Sequence, residues 1–114
     1  MYKRGEIVLI PVPFTDLSSS KKRPVIIVSS DEHNSLSEDV IWMAITSQIR
    51  GLDYEIIIGN KDMENGNLPK ESCIRADKIY TLNRSIIVKK YGNLKLVKLN
   101  KAVSTIEKII KPNK

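Results

Sequence analysis

One change of period divides this chain. From Glu6 to Leu82 the apolar residues come in short, β-rich runs separated by turn chemistry. From Leu96 onward they follow a helical period instead. Leu96, Leu99, Val103, Ile106 and Ile110 recur at spacings of three and four, joined by Ala102 and Ile109. That pattern predicts one amphipathic helix with a single apolar face, capped near Asn93 and stopped by Pro112. Parallel strands need crossover connections, usually helical, and one terminal helix cannot supply them. The predicted fold is therefore mainly β: a small, strongly bent antiparallel barrel closed by a C-terminal helix. At 114 residues the chain is most simply one domain, spanning residues 1–114.

The strands are expected at Glu6–Val12, Pro24–Ser29, Val40–Thr46, Tyr54–Ile58 and Ser72–Leu82, with a short further one at Ile86–Val88. Between them, 14–22 reads as a loop, and 31–39 is polar with room for a helical turn capped by Ser30. Residues 50–53 read as a turn. Residues 59–70 carry Asn60, Asn65-Gly66-Asn67 and Pro69 and read as a long hairpin loop.

The first loop ends in Ser18-Ser19-Ser20-Lys21-Lys22-Arg23-Pro24 and runs directly into Val25-Ile26-Ile27-Val28. Pro24 lacks a backbone donor and fits best at the start of a strand. It also biases Arg23 toward an extended conformation. A guanidinium thus stands where a loop meets a rigid sheet, and the hydroxyls and cations around it suit a phosphate-bearing partner. Two more polar groups stand at or near strand ends: Thr46-Ser47-Gln48 closes the Val40 run, and Arg75 and Asp77 share one face of their strand.

The net charge of +6 favours an anionic partner, and its distribution is uneven. Residues 84–114 hold Arg84, Lys89, Lys90, Lys95, Lys98, Lys101, Lys108, Lys111 and Lys114 against Glu107 alone. A basic end of this kind binds nucleic acid through counterion release; it serves equally as a solvated helix face that aids solubility.

Several chemistries are set aside. The one histidine, His33, lies in a polar segment, so one subunit holds no histidine pair. No CxxC, HExxH or acidic cluster offers a metal site, and no cofactor is expected. Glycine is too sparse for a phosphate-cradling loop. Cys73 reads as a buried strand residue, and a single cysteine excludes an intrachain disulfide and fits a reducing compartment. The apolar run Ile7–Ile10 is broken by Pro11 and Pro13, too early for a signal-peptide core, and nothing approaches the roughly 20 apolar residues of a membrane span. The expected location is the cytoplasm, away from any membrane.

The remaining parts suit phosphodiester chemistry on RNA, whose 2′-OH is a built-in nucleophile. Arginine offers a planar fork of donors to the charge that builds on phosphorus. Its pKa, above about 12, makes it an electrostatic stabiliser rather than an acid. Thr46 could hold a non-bridging oxygen, or simply end a strand as β-branched residues do. Asp77 could accept the 2′-OH proton, or form with Arg75 a surface ion pair of little energetic weight. Trp42, inside an apolar run, reads as core rather than as a stacking residue.

At these residues the chain resembles the MazF/PemK/Kid family of toxin–antitoxin ribonucleases. The matching pieces are Arg4-Gly5-Glu6-Ile7-Val8, Lys22-Arg23-Pro24-Val25-Ile26-Ile27-Val28, Ala44-Ile45-Thr46-Ser47-Gln48, Leu68-Pro69, Ser72-Cys73-Ile74-Arg75-Ala76-Asp77 and Thr81-Leu82. Their order covers nearly the whole chain. The resemblance implies an SH3-like barrel, shared with the gyrase poison CcdB, assembled as a homodimer and silenced by a cognate antitoxin protein. It also implies metal-independent, sequence-specific cleavage of single-stranded mRNA to 2′,3′-cyclic phosphate and 5′-hydroxyl ends. Arg23 and Thr46 match the pair regarded as catalytic in the MazF branch; Arg75 and Asp77 match the acid–base pair of the Kid branch. Ser18, Ser19, Ser20, Lys21, Lys22, Ser47 and Gln48 are then expected to position RNA. The first loop departs from the family: Thr15–Lys22 stands where relatives often carry glycines and an acid, and the Kid-type histidine is absent. Two other readings stand beside this one: a non-enzymatic toxin of the same fold acting on a protein such as DNA gyrase, and an RNA-binding module that does not cut.

Overall fold

The computed structural model describes residues 2–11 and 21–112. Among them, seven strands run in one curled sheet: β1 (Glu6–Pro11), β2 (Lys22–Ile27), β3 (Asp39–Thr46), β4 (Glu55–Ile58), β5 (Met63–Gly66), β6 (Ser72–Asn83) and β7 (Lys89–Leu94). Their order across the sheet is β4-β6-β3-β2-β1-β7-β5, and every pairing is antiparallel. A short helix, α1 (Asp31–Leu36), links β2 to β3, and α2 (Leu96–Ile110) follows β7. This is the mainly β, barrel-like fold with a terminal helix that the change of period predicts.

The continuous apolar runs lie in the middle strands because both faces of the sheet are buried there. Successive side chains point to opposite faces. Ile7, Ile26, Met43 and Ile45 enter one cluster with Ile56, Ile58 and Ile74, and α2 covers it with Leu99 and Ala102. Val8, Ile10, Val25, Ile27, Val40 and Trp42 form the other cluster, against which Tyr2, Leu82, Ile86 and Ile87 pack. Each fully buried Ile or Leu contributes about 1.5–3 kcal/mol. The expected burial of Trp42 and Cys73 holds, at 4% and 0% exposure.

Several boundaries differ from the sequence expectation. The strand expected from Pro24 begins earlier, at Lys22. The N–H of Gly5 donates to the Ile27 carbonyl and the N–H of Val28 to the Ile41 carbonyl. Odd residues of β2 therefore aim their backbone groups at β1 and even ones at β3. Pro24's missing donor falls on the β3 side, just beyond the pairing that starts at Val25 and Ala44. Proline is tolerated inside the strand for that reason.

The expected loop 59–70 contains a 3-10 turn (Asn60–Asp62) and β5. Its polar residues need no apolar face, since β5 is an edge strand held to β7 through backbone contact. Gly66 and Gly92 face each other there; a Cβ on Gly66 would lie 2.0 Å from the Tyr91 carbonyl oxygen, and one on Gly92 2.1 Å from that of Asn65. The strand expected at Ile86–Val88 is instead a 3-10 turn at Arg84–Ile86, capped when Asn83 accepts from the Ser85 N–H. β7 begins after it, at Lys89. Asn93 belongs to β7 and does not cap α2; Lys95 is the residue at that cap. The Ser30 cap on α1 is as expected, its hydroxyl accepting from the His33 N–H at 3.1 Å.

Candidate active-site cleft

The cleft grows out of the second core cluster at one end of the central strands. Even residues of β3 share a face, and Val40 and Trp42 are buried on it, whereas Ala44 and Thr46 open toward solvent. The change from apolar to polar along this row marks where core ends and site begins. Val25 of β2 pairs with Ala44, so two further steps of the antiparallel register place Arg23 opposite Thr46. On the other side of β3, Ala44 pairs with Arg75 of β6.

A bulge makes room beside Arg75. Met43 pairs with Ile79 while its neighbour Ala44 pairs with Arg75, leaving Ala76, Asp77 and Lys78 outside the β3 register. Extra residues of this kind bend a strand and re-aim its side chains. No glycine or proline marks the bulge, so nothing local announces it in the sequence.

Two lobes result, meeting at Arg23, Pro24, Ile45 and Thr46. One, of about 210 Å³, is lined by Arg23, Trp42, Thr46, Gln48, Arg50, Arg75, Lys78 and Tyr80. The other, of about 360 Å³, adds Lys22, Ser47, Leu68, Lys70, Ser72 and Tyr91. Among the described residues no carboxylate lines either lobe, while five different cations do besides the shared Arg23. The cleft is thus an anion-attracting surface by composition.

Asp77 stands behind this surface rather than on it. Its carboxylate accepts from Nε and Nη2 of Arg75 at 2.9 and 2.8 Å, a bidentate fork. The guanidinium also lies over the Tyr54 ring, 5.0 Å from its centroid. The hydrogen bond from Arg75 holds the Asp77 carboxyl below the usual range, and the same bond raises Arg75. Arg75 is therefore a fixed, permanently charged donor. Thr46 is fixed too: its hydroxyl oxygen accepts the Gln48 N–H at 3.1 Å, leaving its proton to donate. Arg50 is carried in by a turn whose Arg50 and Leu52 N–H groups donate to the Glu55 carboxylate, depressing that carboxyl.

Of the residues singled out in the sequence, Arg23, Thr46, Gln48 and Arg75 share the first lobe, and Lys22 and Ser47 the second. Lys21 is exposed outside both, and Ser18, Ser19 and Ser20 fall outside the described residues. His33 sits on α1 and lines neither lobe. Arg50, Lys70, Lys78, Tyr80 and Tyr91 were not expected here. Lys78 and Tyr80 have the opposite parity from Arg75 and Asp77 and share the lobe with Arg75 because the bulge shifts the register between them, so strand alternation does not find them in the sequence; Arg50 and Lys70 arrive on turns whose direction only the fold sets.

This architecture is that of a known class of small β toxins. An endoribonuclease from a mycobacterial species, solved with its cognate antitoxin, matches with a TM-score of 0.76 at 22% identity, over 98% of this chain and 100% of its own. MazF from Deinococcus radiodurans, solved as a MazE–MazF complex, matches at 0.78 and 17% identity over 96% and 95%. Mycobacterium tuberculosis toxin MazF-mt6 matches at 0.72 and 20% over 90% and 93%. At these identities the likeness is one of fold. No curated protein sequence matches the chain significantly. The family profile described as PemK-like, MazF-like toxin of type II toxin–antitoxin system matches residues 3–110, and the chain belongs to that family. Among the described residues no helix is long and apolar enough to cross a membrane.

Proposed function

We propose that this toxin is an endoribonuclease that cuts single-stranded mRNA in the cytoplasm at the junction of the two lobes. The observation that carries this reading is the convergence of Arg23, Thr46 and Arg75 on one cationic cleft that, among the described residues, no carboxylate lines. RNA threads along the cleft, its phosphates drawn by the lysines and arginines of both lobes. At the junction the ribose 2′-oxygen gives up its proton to water and attacks phosphorus, the P–O5′ bond breaks, and the 5′-oxygen takes up a proton from water. The products are a 2′,3′-cyclic phosphate and a 5′-hydroxyl. Arg23 and Arg75 face the charge that develops on the non-bridging oxygens, in a geometry set before substrate arrives. Thr46 donates its hydroxyl to one of those oxygens.

Asp77 is assigned to orienting Arg75. Both of its oxygens are engaged by the guanidinium and its affinity for protons is lowered, which suits a clamp better than a base. The mycobacterial complex and the MazE–MazF complex support a cognate antitoxin as partner, and the homodimer that the family resemblance implies is part of the proposal. Purified protein incubated with a long RNA in EDTA tests the reading. Discrete fragments, reduced at least ~100-fold in both R23A and T46A, are expected. Intact RNA from folded protein overturns it; tight binding of uncut RNA, or poisoning of gyrase, then points to a binding module or a toxin against a protein.

A further inference from the structure

The ribonuclease reading leaves one prominent feature of the first lobe unused. Tyr80 is 41% exposed, whereas the ring beneath it, Trp42, is 4% exposed. The two residues are direct register partners across β3 and β6. Their ring centroids lie 4.8 Å apart, inclined by 33°. Both rings line the lobe that holds Arg23, Thr46 and Arg75. The chain carries only one Trp, four Tyr and one Phe, so two stacked rings in a cationic cleft are a concentrated feature.

We propose that the outer face of Tyr80 is the platform on which the base adjoining the scissile phosphate stacks. The inference rests on the ribonuclease reading and names a positioning residue for it. Three observations support it. Trp42 is locked in the core, so Tyr80 rests on a rigid support and little ordering is required when a base binds. The bulge in β6 brings Tyr80 close to Arg75, because their partners Trp42 and Ala44 are only two residues apart on β3. That separation is about 7 Å along the strand, within reach of a base whose phosphate lies at Arg75. Lys78, two residues before Tyr80 on the same alternation, lines the same lobe and supplies a cation to the sugar–phosphate chain. Stacking is tolerant of base identity, so Tyr80 sets position and affinity more than sequence preference.

The test uses the RNA site that the wild-type toxin cuts, made uncleavable by a 2′-deoxy nucleotide at that position, together with oligo(U) as a site-independent probe. Fluorescence anisotropy reads affinity, and sedimentation reads the oligomeric state. Y80L keeps apolar cover over Trp42 but removes the π-face. It is expected to weaken binding of both probes by about 5- to 100-fold. Y80F is expected to bind like wild type. An abasic nucleotide beside the scissile phosphate should cost the wild type a similar factor and Y80L almost nothing more, the non-additivity expected of two groups in contact. Unchanged affinity in Y80L overturns the proposal, as does Y80F behaving like Y80L. A Y80L variant of altered oligomeric state also overturns it, marking the ring as a subunit contact. A wild-type protein that cuts no RNA defeats the ribonuclease reading instead, and the oligo(U) arm still reports on stacking separately.

Discussion

The cleft and the C-terminal helix are both rich in cations, yet they hold them differently. In the cleft, arginines and lysines from β2, β6 and two turns converge, and the carboxylate that grips one of their guanidinium groups, Asp77, lies behind Arg75. Along α2 and at its two caps the lysines are spread out rather than gathered onto one concave surface. Lys95 donates to the Lys61 carbonyl and Lys98 to the Ile57 carbonyl, so these two tether the helix to the sheet edge. Lys111 pairs with Glu107 one turn away, and no residue of α2 lines either lobe. The densest positive charge in the sequence is therefore not where an anion is best held. Convergence onto one concave surface matters more than the count of lysines.

The sharpest break of this comparison lies in activity. R23A is expected to lose at least ~100-fold in RNA cleavage with its melting temperature nearly unchanged, since Arg23 is exposed. A similar loss accompanied by unfolding would remove the distinction between site and scaffold. The opposite pattern is expected of L99A, which removes a fully buried side chain from the core-facing side of α2. It should cost about 2–5 kcal/mol in denaturant unfolding and leave the activity of the folded fraction intact. D77N is intermediate. Freeing Arg75 from its clamp should lower cleavage by ~10- to 100-fold. Its effect on stability is smaller and depends on pH. The folded-state pKa of Asp77 is lowered, so the pair stabilises above the unfolded carboxyl's value of about 3.9 and that contribution fades as pH falls below it. For so accessible a pair the contribution is at most about 1 kcal/mol. Unfolding curves of wild type and D77N should thus differ near neutral pH and converge in acid, as pH falls through the lowered titration of Asp77. The smallest effect belongs to the helix: replacing Lys95, Lys98 and Lys101 by Gln should weaken RNA binding by less than ~3-fold at physiological salt.

How much of this was legible depends on whether a residue's role is local. Arg23 before Pro24, and Thr46 closing a wholly apolar run, mark strand ends in the sequence itself, and register alone then sets them side by side. The Arg75–Asp77 pair follows from strand alternation. The terminal helix follows from its period. β7 was not legible, because Lys-Lys-Tyr-Gly-Asn-Leu has no alternating apolar face; it is a strand because β1 and β5 present backbone to it, and Gly92 allows the close approach. Nor was the bulge at Ala76–Lys78, which is set by the mismatch of two registers and carries no turn residue. Arg50 and Tyr80 enter the cleft through those tertiary choices. Roles for Arg23, Thr46 and Asp77 follow from RNA chemistry, and the family resemblance raises them above the plainer readings; by themselves the residues leave the Arg75–Asp77 ion pair at even weight and favour a plain strand end for Thr46.

The most direct measurement sets the two basic regions against each other on one substrate. Wild type, R23A and the Lys95/Lys98/Lys101 glutamine variant are incubated with the same long RNA in EDTA, and cleavage sites and rates are read by primer extension. The account predicts that wild type and the lysine variant cut at the same positions at rates within ~3-fold of each other, while R23A is nearly inert. Cleavage that survives loss of Arg23 but fails with the helix lysines would contradict it, and would move the site from the cleft to the helix.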